Sequence, residues 1–314
     1  MTMLIVYHGE AGPAQRRRFA EVEAQHGWRI EVVAPGDDRH LESVLGEMTL
    51  WWHVLTPITD EHLARAPRLR LIHKWGVGLN TIDLDSAAKR GVAVANMPGS
   101  NASAVAEHAT LLTLAVLRRL PRYHERTSAG AGWPIDAALG EGCRELSGSV
   151  VGLIGYGAIA QRFAQILEGF GATVYHHSRR DDRAGWRPLE DLLAHADIVS
   201  LHVPLDADTE RLLDVRRIAR MKPSAVLINT ARGGLVDLAA LDAALARGDL
   251  AGAGLDTFDP EPWDATPSIA RHPGVVVTPH IAWLTWETLE RSLDLGVAAA
   301  LAVRDGTDIA NRVV

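Results

Sequence analysis

Three side chains of types that can do chemistry together close three separate apolar segments of the chain: Arg232, Glu261 and His280. Each segment is typical of the end of a buried strand, and parallel sheets gather their functional groups at strand ends. A guanidinium can bind a carboxylate through two hydrogen bonds, and an imidazole with a carboxylate beside it can move one proton. The three residues therefore predict one site that binds a carboxylate-bearing substrate and transfers a proton.

Two series of short apolar runs, separated by helical patterns, must position this site. The first series comprises residues 4–7, 30–33, 47–54, 69–74 and 92–96. The second series comprises residues 150–155, 173–177, 197–202, 225–229, 252–256 and 274–278. Strands that alternate with helices predict parallel sheets built from βαβ units, and two series predict two α/β lobes.

Two longer segments predict helices that frame the second series. Residues 103–120 have the length and apolar content of a long buried helix, which Pro121 should end. Residues 286–303 predict a helix after the last strand. Because a C-terminal helix in this position can return to the first lobe, we expect the first lobe to be discontinuous in sequence.

Composition limits the class of protein. The chain has 314 residues, 47% of them hydrophobic, with a net charge of −7 and a single cysteine, Cys143. The length favours two domains, and the negative charge argues against a nucleic-acid partner. One cysteine excludes an internal disulfide and fits a reducing compartment.

No stretch of sequence predicts insertion in a membrane or a bound metal. Every apolar run is shorter than the roughly 20 residues of a membrane span. Residues 1–7 are typical of a strand rather than a signal peptide. We therefore expect a soluble, cytoplasmic protein. The chain contains no HisxGluxxHis spacing, so we predict no metal site.

A glycine-rich turn opens the second lobe. Gly155, Gly157 and Ala160 form a GlyxGlyxxAla motif between an apolar run and a helical pattern. The first glycine allows a tight turn, the second lets the backbone approach a pyrophosphate, and the amides at the helix N-terminus face the anion. The motif alone also fits an ordinary tight turn, but with a strand and a helix on either side it predicts dinucleotide binding.

The end of the next apolar run bears on which dinucleotide is bound. Ser178 occupies the place where a carboxylate usually accepts hydrogen bonds from the adenosine ribose, and Arg179 and Arg180 follow it. A hydroxyl and two guanidiniums would hold a 2′-phosphate, which a carboxylate would repel, so the pattern favours NADP over NAD. In the alternative interpretation the arginines are solvated charges, and Asp181 or Asp182 supplies the acid after a register slip of three residues.

Several motifs in one order resemble the D-isomer-specific 2-hydroxyacid dehydrogenases, a family that includes glyoxylate/hydroxypyruvate reductases and phosphoglycerate dehydrogenases. The resemblance covers most of the chain and is weakest in the first 45 or so residues. It rests on residues 74–83, 104–108, 145–157, 229–234, 254–262 and 278–282. It implies an α/β fold of two doubly wound parallel-sheet lobes, with a Rossmann cofactor lobe (100–284) inserted into a flavodoxin-like substrate lobe (1–99 and 285–314).

By this resemblance Arg232, Glu261 and His280 are catalytic. Arg232 would orient the substrate carboxylate and carbonyl, and His280 would protonate the carbonyl oxygen as a hydride arrives. Glu261 would fix the tautomer of His280 and stabilise its charged form. Formate dehydrogenases share the fold and carry Gln at the position of Glu261, so the carboxylate favours proton-coupled hydride transfer.

The resemblance also implies residues that bind the cofactor and the substrate. The predicted cofactor contacts are Gly155, Gly157, Ala158, Ile159, Ser178, Arg179, Arg180, Val203, Pro204, Thr209, Thr230, Ala231, Arg232, Asp256 and His280. The predicted substrate contacts are Val77, Gly78, Arg232, His280 and Trp283. Asp256 could instead cap a strand end, and Trp283, like Trp75, could be a packing residue.

The activity that the resemblance implies is NAD(P)H-dependent reduction of a small 2-keto acid, such as glyoxylate or hydroxypyruvate, to the D-2-hydroxy acid. One alternative is oxidation of a phosphorylated hydroxy acid, as in phosphoglycerate dehydrogenases, with Lys74 or Arg122 near the phosphate. Others are a corepressor-like protein that senses dinucleotides and an adenosylhomocysteinase-like hydrolase or lyase. Residues 122–143, with Trp133, resemble the arm through which family members pair, so we expect a homodimer.

Overall fold

The computed structural model describes residues 2–131, 133, 137–180, 182–264 and 268–314. The chain divides into two compact units, Met1–Asn101 with Thr285–Val314, and Ala102–Leu284. The sequence placed the first boundary two residues earlier, between residues 99 and 100. Ser100 lies in the first unit, where its carbonyl accepts a hydrogen bond of 2.7 Å from Arg291 Nε.

The first unit is a five-stranded parallel sheet in the order β2-β1-β3-β4-β5. Its strands are β1 (Leu4–His8), β2 (Arg29–Val33), β3 (Leu50–His53), β4 (Leu71–Lys74) and β5 (Ala93–Ala95). Its helices are α1 (Pro13–His26), α2 (Asp38–Leu45), α3 (Asp60–Ala64), α4 (Leu84–Lys89) and the C-terminal helix (Trp286–Asp305). The order 2-1-3-4-5 is that of the flavodoxin-like sheets.

The last residues of the chain complete the packing of the first unit. A Cβ atom on Gly296 of the C-terminal helix would lie 3.1 Å from Cε2 of Trp52, so the glycine lets the helix approach the sheet closely. The ring of Trp75 lies 5.4 Å from that of Trp52 and 4.9 Å from that of Tyr7. Trp75 is therefore a packing residue, one of the two roles that the sequence left open.

The second unit is a six-stranded parallel sheet in the order β11-β10-β9-β8-β6-β7. Its strands are β6 (Val150–Ile154), β7 (Thr173–His177), β8 (Ile198–Leu201), β9 (Val226–Asn229), β10 (Gly252–Leu255) and β11 (Val275–Val277). Its helices are α5 (Ala102–Leu117), α6 (Leu120–Ser128), α7 (Ala137–Glu141), α8 (Ala158–Gly169), α9 (Leu189–His195), α10 (Val215–Ile218) and α11 (Leu238–Arg247). The chain reverses its winding direction at β6, where a doubly wound sheet binds its ligand.

The predicted fold class is confirmed. Every apolar run that the sequence marked as a strand contains a strand, and all pairs within both sheets are parallel. Helices cover both faces of the second sheet, so its inner strands β6, β8, β9 and β10 are almost wholly buried and lack an alternating polar pattern. The residues that follow the carboxyl ends of these strands lie at the edge of the sheet, where their side chains can contact a ligand.

The long helix at the start of the second unit ends earlier than predicted. It stops at Leu117, and Pro121 lies in the first turn of the next helix, α6. Arg119, between the two helices, has a left-handed φ of 50°. A proline is tolerated in the first turn of a helix because the amide it lacks would have no intrahelical partner. Pro121 thus begins a helix and does not end one.

Among the described residues, none of the helices combines the length and the apolar character needed to cross a bilayer.

Candidate active site

The imidazole of His280 and the carboxylate of Glu261 form a direct pair. His280 Nδ1 lies 2.6 Å from Glu261 Oε2, and the other carboxylate oxygen accepts a hydrogen bond of 2.9 Å from the Phe258 amide. Because a carboxylate can only accept, Nδ1 carries the proton of the neutral ring. Within the described ranges Nε2 has no hydrogen-bond partner, so it is the ring nitrogen that can exchange a proton with a substrate.

The charges of Arg232, Glu261 and His280 act on one another. Burial by itself would raise the pKa of Glu261, but the hydrogen bond and charge of His280, the Phe258 amide and the Arg232 charge together lower it. Burial lowers the pKa of Arg232, and the charge of Glu261 opposes this effect. The structure therefore brings together the three residues that the sequence singled out, with Glu261 held in its ionised form at neutral pH.

The backbone that carries Arg232 is fixed by Asn229, the last residue of β9. Asn229 Nδ2 donates a hydrogen bond of 2.8 Å to the Arg232 carbonyl, and its Oδ1 accepts one of 3.0 Å from the Ala231 amide. Asn229 is only 1% exposed, so a buried amide is satisfied by the turn that it stabilises. Sequence reasoning did not select Asn229, although a polar residue at the end of an apolar strand beside the arginine was visible.

Gly233 sets the distance between the arginine segment and the glutamate segment. A Cβ atom there would lie 2.0 Å from the carbonyl carbon of Phe258 and 2.2 Å from its oxygen. Real Cβ atoms do not approach a backbone so closely, and neither backbone can yield without moving its neighbours. Only glycine lets the residue after Arg232 pack against the segment that leads to Glu261.

The buried carboxylate of Asp256 organises the segment that carries His280. Its Oδ1 accepts hydrogen bonds from the Thr278 hydroxyl at 2.6 Å and the Ile281 amide at 2.9 Å, and its Oδ2 accepts one from the Ala282 amide at 2.9 Å. The His280 amide donates to the Asp256 backbone carbonyl at 2.7 Å. This is the capping role that the sequence left as an alternative for Asp256, and its contact with a cofactor stays a prediction.

His280 has a backbone conformation that needs such support. Its φ of 56° lies in the left-handed region, which residues other than glycine seldom adopt. A residue stays in that region only where its surroundings hold it there. Trp283 contributes as well, because its indole Nε1 donates a hydrogen bond of 3.0 Å to the His280 carbonyl. Contact between Trp283 and a substrate stays a prediction.

The glycine-rich turn between β6 and α8 has an open helix N-terminus. Gly155 has a φ of 96°, and a Cβ atom on it would lie 2.5 Å from the His202 carbonyl oxygen. Gly157 precedes α8, no side chain among the described residues caps that end, and a Cβ atom on Gly157 would meet none of their atoms within 4 Å. The first amides of a helix, here those of Ala158 and Ile159, have no intrahelical partner. The turn therefore fits a pyrophosphate group.

A buried hydroxyl near the end of β9 also fits a bound cofactor. Thr230 is 8% exposed, and its Oγ1 has no hydrogen-bond partner among the described residues. An unsatisfied buried hydroxyl is costly unless a ligand or water completes it. Ala231 follows it directly, so both predicted cofactor residues lie at the carboxyl end of this strand.

Ser178 directly follows β7. Strand pairing sets His177 opposite Ile154, and the Gly155 amide donates to the His177 carbonyl at 2.8 Å. Ser178 is therefore next to the glycine turn, where the sequence placed it, and its hydroxyl donates to the Arg180 carbonyl at 2.7 Å.

The charged residues after Ser178 face solvent. The Arg179 side chain is 84% exposed and lies 3.4 Å from Asp206. Arg180 and Asp182 are exposed as well. Asp181, the other candidate for the acid, lies outside the described residues.

The segment after β8 forms a compact turn beside the glycine-rich motif. Thr209 Oγ1 donates a hydrogen bond of 2.7 Å to the Pro204 carbonyl and thereby closes the turn. A Cβ atom on Gly155 would lie 3.0 Å from Cγ1 of Val203. Val203, Pro204 and Thr209, which the sequence predicted as cofactor contacts, thus lie in a hydrogen-bonded segment that contains the neighbour of Gly155.

The two substrate residues predicted in the first unit lie in the loop after β4. Val77 is 43% exposed, and its carbonyl accepts a hydrogen bond of 2.9 Å from Asn96 Nδ2. Gly78 is partly exposed. Lys74, which the sequence left as a possible phosphate contact, is buried at the end of β4. Contact between Val77, Gly78 and a substrate stays a prediction.

The described part of the chain contains no group of three or more His, Cys, Asp or Glu side chains arranged to hold a metal ion.

The chain is similar in sequence and fold to known proteins. A family model described as "D-isomer specific 2-hydroxyacid dehydrogenase, NAD binding domain" matches residues 110–282. The chain is 35% identical to the glyoxylate reductase of Thermococcus litoralis over 310 residues, which cover 95% of this chain and 91% of that protein. The D-lactate dehydrogenase from Aquifex aeolicus, solved with NAD and lactic acid, matches with a TM-score of 0.86 and 31% identity over 99% of both chains.

A longer relative matches over part of its length. The chain is 37% identical over 289 residues to the D-3-phosphoglycerate dehydrogenase of Mycobacterium bovis, which covers 90% of this chain but 51% of that protein. The chain thus spans about half the length of this relative. The family model covers more than half of the chain, and the glyoxylate reductase aligns over nearly all of it. The resemblance found in the motifs is confirmed, and the chain belongs to the D-isomer specific 2-hydroxyacid dehydrogenase family.

Proposed function

We propose that this protein reduces a small 2-keto acid of the glyoxylate or hydroxypyruvate type to the D-2-hydroxy acid, with NADPH or NADH as the reductant. The observation that carries the proposal is the 2.6 Å pair between His280 and Glu261, which leaves Nε2 of His280 to exchange a proton. Arg232 supplies a positive charge that helps to lower the pKa of Glu261. A proton donor and a carboxylate-binding cation are what reduction of a keto acid requires.

The chain's own residues provide binding and proton transfer. A bound nicotinamide supplies the hydride, or accepts it in the reverse reaction. Arg232 binds the substrate carboxylate and carbonyl oxygen and so orients the carbonyl carbon. His280, in its charged form, donates the Nε2 proton to that oxygen and is left neutral with its remaining proton on Nδ1. Glu261 stays ionised and stabilises the charged ring before the transfer.

We propose that the dinucleotide is held at the glycine turn and that NADP is preferred. The open N-terminus of α8 and the unpartnered Thr230 hydroxyl support a bound dinucleotide. The position of Ser178 after β7 supports the preference for NADP, because no carboxylate at that position repels a 2′-phosphate. The D-lactate dehydrogenase of Aquifex aeolicus was solved with NAD, so the family also accommodates the unphosphorylated form.

A spectrophotometric assay tests the proposed activity. The oxidation of NADPH and of NADH should be followed with glyoxylate, hydroxypyruvate, phosphohydroxypyruvate and pyruvate. We expect turnover with the short unphosphorylated acids. Preference for the phosphorylated acid would favour the phosphoglycerate dehydrogenase-like alternative. Absence of turnover with every keto acid would contradict the proposal.

Replacing Ser178 by Asp should shift the cofactor preference from NADPH toward NADH. A carboxylate at that position accepts hydrogen bonds from a free ribose and repels a 2′-phosphate, and a loss of 1.4 kcal/mol is about tenfold. We therefore expect the ratio of kcat/KM for NADPH to that for NADH to fall at least about tenfold. Ser43→Asp, which adds the same charge on an exposed position of α2, is the control. An unchanged ratio would show that Ser178 does not face the ribose.

Replacing Glu261 by Gln should move the pH profile of keto-acid reduction to lower pH. The neutral amide does not stabilise the imidazolium of His280, so a more acidic solution is needed to keep the proton donor charged. Because the pKa of Glu261 is lowered in the native protein, its own titration does not limit the wild-type profile near neutrality. Glu168→Gln, on an exposed position of α8, is the matched control. A profile identical to that of the wild type would remove Glu261 from this role.

We propose that the protein is a homodimer. Leu111 of α5 and Leu120 of α6 are each 53% exposed, and Trp133 is 81% exposed. An interface between two copies would bury these apolar side chains, and Trp133 belongs to the arm that the family resemblance predicts. Part of the predicted arm, residues 122–143, lies outside the described residues. Sedimentation of the purified protein as a monomer at micromolar concentration would contradict the proposal.

A further inference from the structure

We propose that His108 is a positioning residue for proton transfer by His280 and that it acts through Thr278 and Asp256. His108 lies on α5, and its side chain is 13% exposed. It does not pair with Glu261 and was not among the residues predicted for the site. The inference rests on the proposed function for its kinetic test.

An unbroken series of contacts joins α5 to the buried carboxylate. His108 Nε2 lies 3.0 Å from Thr278 Oγ1 and 3.6 Å from Asp256 Oδ1. Thr278 Oγ1 in turn lies 2.6 Å from Asp256 Oδ1. The contacts connect positions 170 residues apart in sequence, so they depend on the tertiary fold.

The direction of these hydrogen bonds follows from the number of protons. A carboxylate can only accept, so at 2.6 Å the single hydroxyl proton of Thr278 must point to Asp256. With that proton committed, Thr278 Oγ1 can only accept from His108. The ring of His108 is therefore the tautomer that carries its proton on Nε2. The opposite direction would place two lone pairs face to face.

Close packing of α5 on the sheet places His108 next to Thr278 and Asp256. A Cβ atom on Gly254 of β10 would lie 2.9 Å from Cβ of Leu112, so the glycine lets the helix approach the strand. His108 lies one turn before Leu112 on the same helix face. Asp256 lies two residues beyond Gly254 and so on the same side of the strand. Helix and strand together hold the two ends of the contact series.

The contacts between His108, Thr278 and Asp256 support the segment that carries His280, the residue that transfers the proton. Asp256 holds Thr278 on one side of His280 and the amides of Ile281 and Ala282 on the other. His280 needs this support because of its left-handed φ of 56°. His108 fixes the Thr278 hydroxyl that occupies Oδ1 of Asp256. Without it we expect His280 Nε2 to lose its alignment, and misplacement of a reacting group by about 1 Å can cost about 100-fold in rate.

Four single variants test the inference. His108→Leu and Thr278→Val remove the contacts and should each lower kcat about tenfold or more, with KM for the keto acid and for NADPH changed less than about twofold. His108→Gln keeps a donor near Nε2 and Thr278→Ser keeps the hydroxyl, so both should retain most of kcat. Because the contacts lie in series, the double variant His108→Leu/Thr278→Val should lose no more than the more affected single variant.

Three kinetic results would overturn the inference: wild-type kcat in His108→Leu, a loss seen only in KM for NADPH, or additive losses in the double variant. The tautomer offers a readout that does not need activity. Nitrogen NMR of the wild-type protein labelled in histidine should show His108 protonated on Nε2, and a proton on Nδ1 alone would overturn the inference. Failure of the wild type to reduce any keto acid would instead refute the proposed function and leave this NMR test intact.

Discussion

His280→Ala should lower kcat for keto-acid reduction by about 10² to 10⁴, the usual contribution of a positioned general acid. The methyl group cannot donate a proton to the developing alkoxide, and in the described part of the chain no second imidazole is paired with Glu261. KM for the keto acid should change far less, since Arg232 still binds the carboxylate. Steady-state kinetics near neutral pH with both cofactors would measure the effect.

Two further measurements make this prediction specific. His195→Ala removes a histidine whose side chain is 72% exposed and should leave kcat unchanged. Added imidazole should restore part of the activity of His280→Ala, because it can supply the missing acid in the vacated space. A variant that retains wild-type kcat would mean that another group protonates the substrate.

Gly233→Ala should lower kcat/KM by more than about 100-fold, because 1 Å of misplacement alone can cost that much. The added Cβ atom would lie 2.0 Å from the Phe258 carbonyl carbon, so the segment with Arg232 and the segment with Glu261 must separate. The guanidinium would then lose its position relative to the proton donor. Kinetic analysis and thermal unfolding together would separate lost activity from lost stability.

The neighbouring glycine provides a matched control. A Cβ atom on Gly234 would lie 3.0 Å from Cδ2 of Leu205, the end of a flexible side chain that can shift. Gly234→Ala should therefore retain most of the activity. Equal kinetics of Gly233→Ala and the wild type would show that the two segments can adjust without consequence.

Much of the fold was predictable because its strands are short apolar runs bounded by turns. In a doubly wound fold both faces of each sheet are covered, so most strand residues are apolar, although β3, β4 and β7 also carry buried histidines. The end of α5 was not predictable from Pro121. The break occurs at Arg119, whose left-handed conformation depends on the packing of two helices and leaves no mark on a single residue type.

The chemically active residues of the site were predictable, and the residues that hold them were not. Arg232, Glu261 and His280 stand out because a charged or titratable side chain ends an apolar segment. Asn229 had a similar signal but no obvious chemistry. His108 and Thr278 lie in two of the motifs that carry the family resemblance, but neither motif reveals their roles, which come from a contact between positions 170 residues apart. The sequence allowed Asp256 to be a cofactor contact or a cap at a strand end, and its hydrogen bonds to Thr278, Ile281 and Ala282 are those of a cap.

The packing of the C-terminal helix in the first unit has a consequence for the order of folding during synthesis. The second unit is continuous in sequence and can fold once Leu284 has left the ribosome. The first unit must wait for the last thirty or so residues, because Gly296 covers Trp52 and the Val313 amide donates to the Val94 carbonyl at 2.7 Å. Its sheet therefore lacks the packing of the C-terminal helix until residues 285–314 have been synthesised, and we expect these long-range contacts to make this unit the slower one to form.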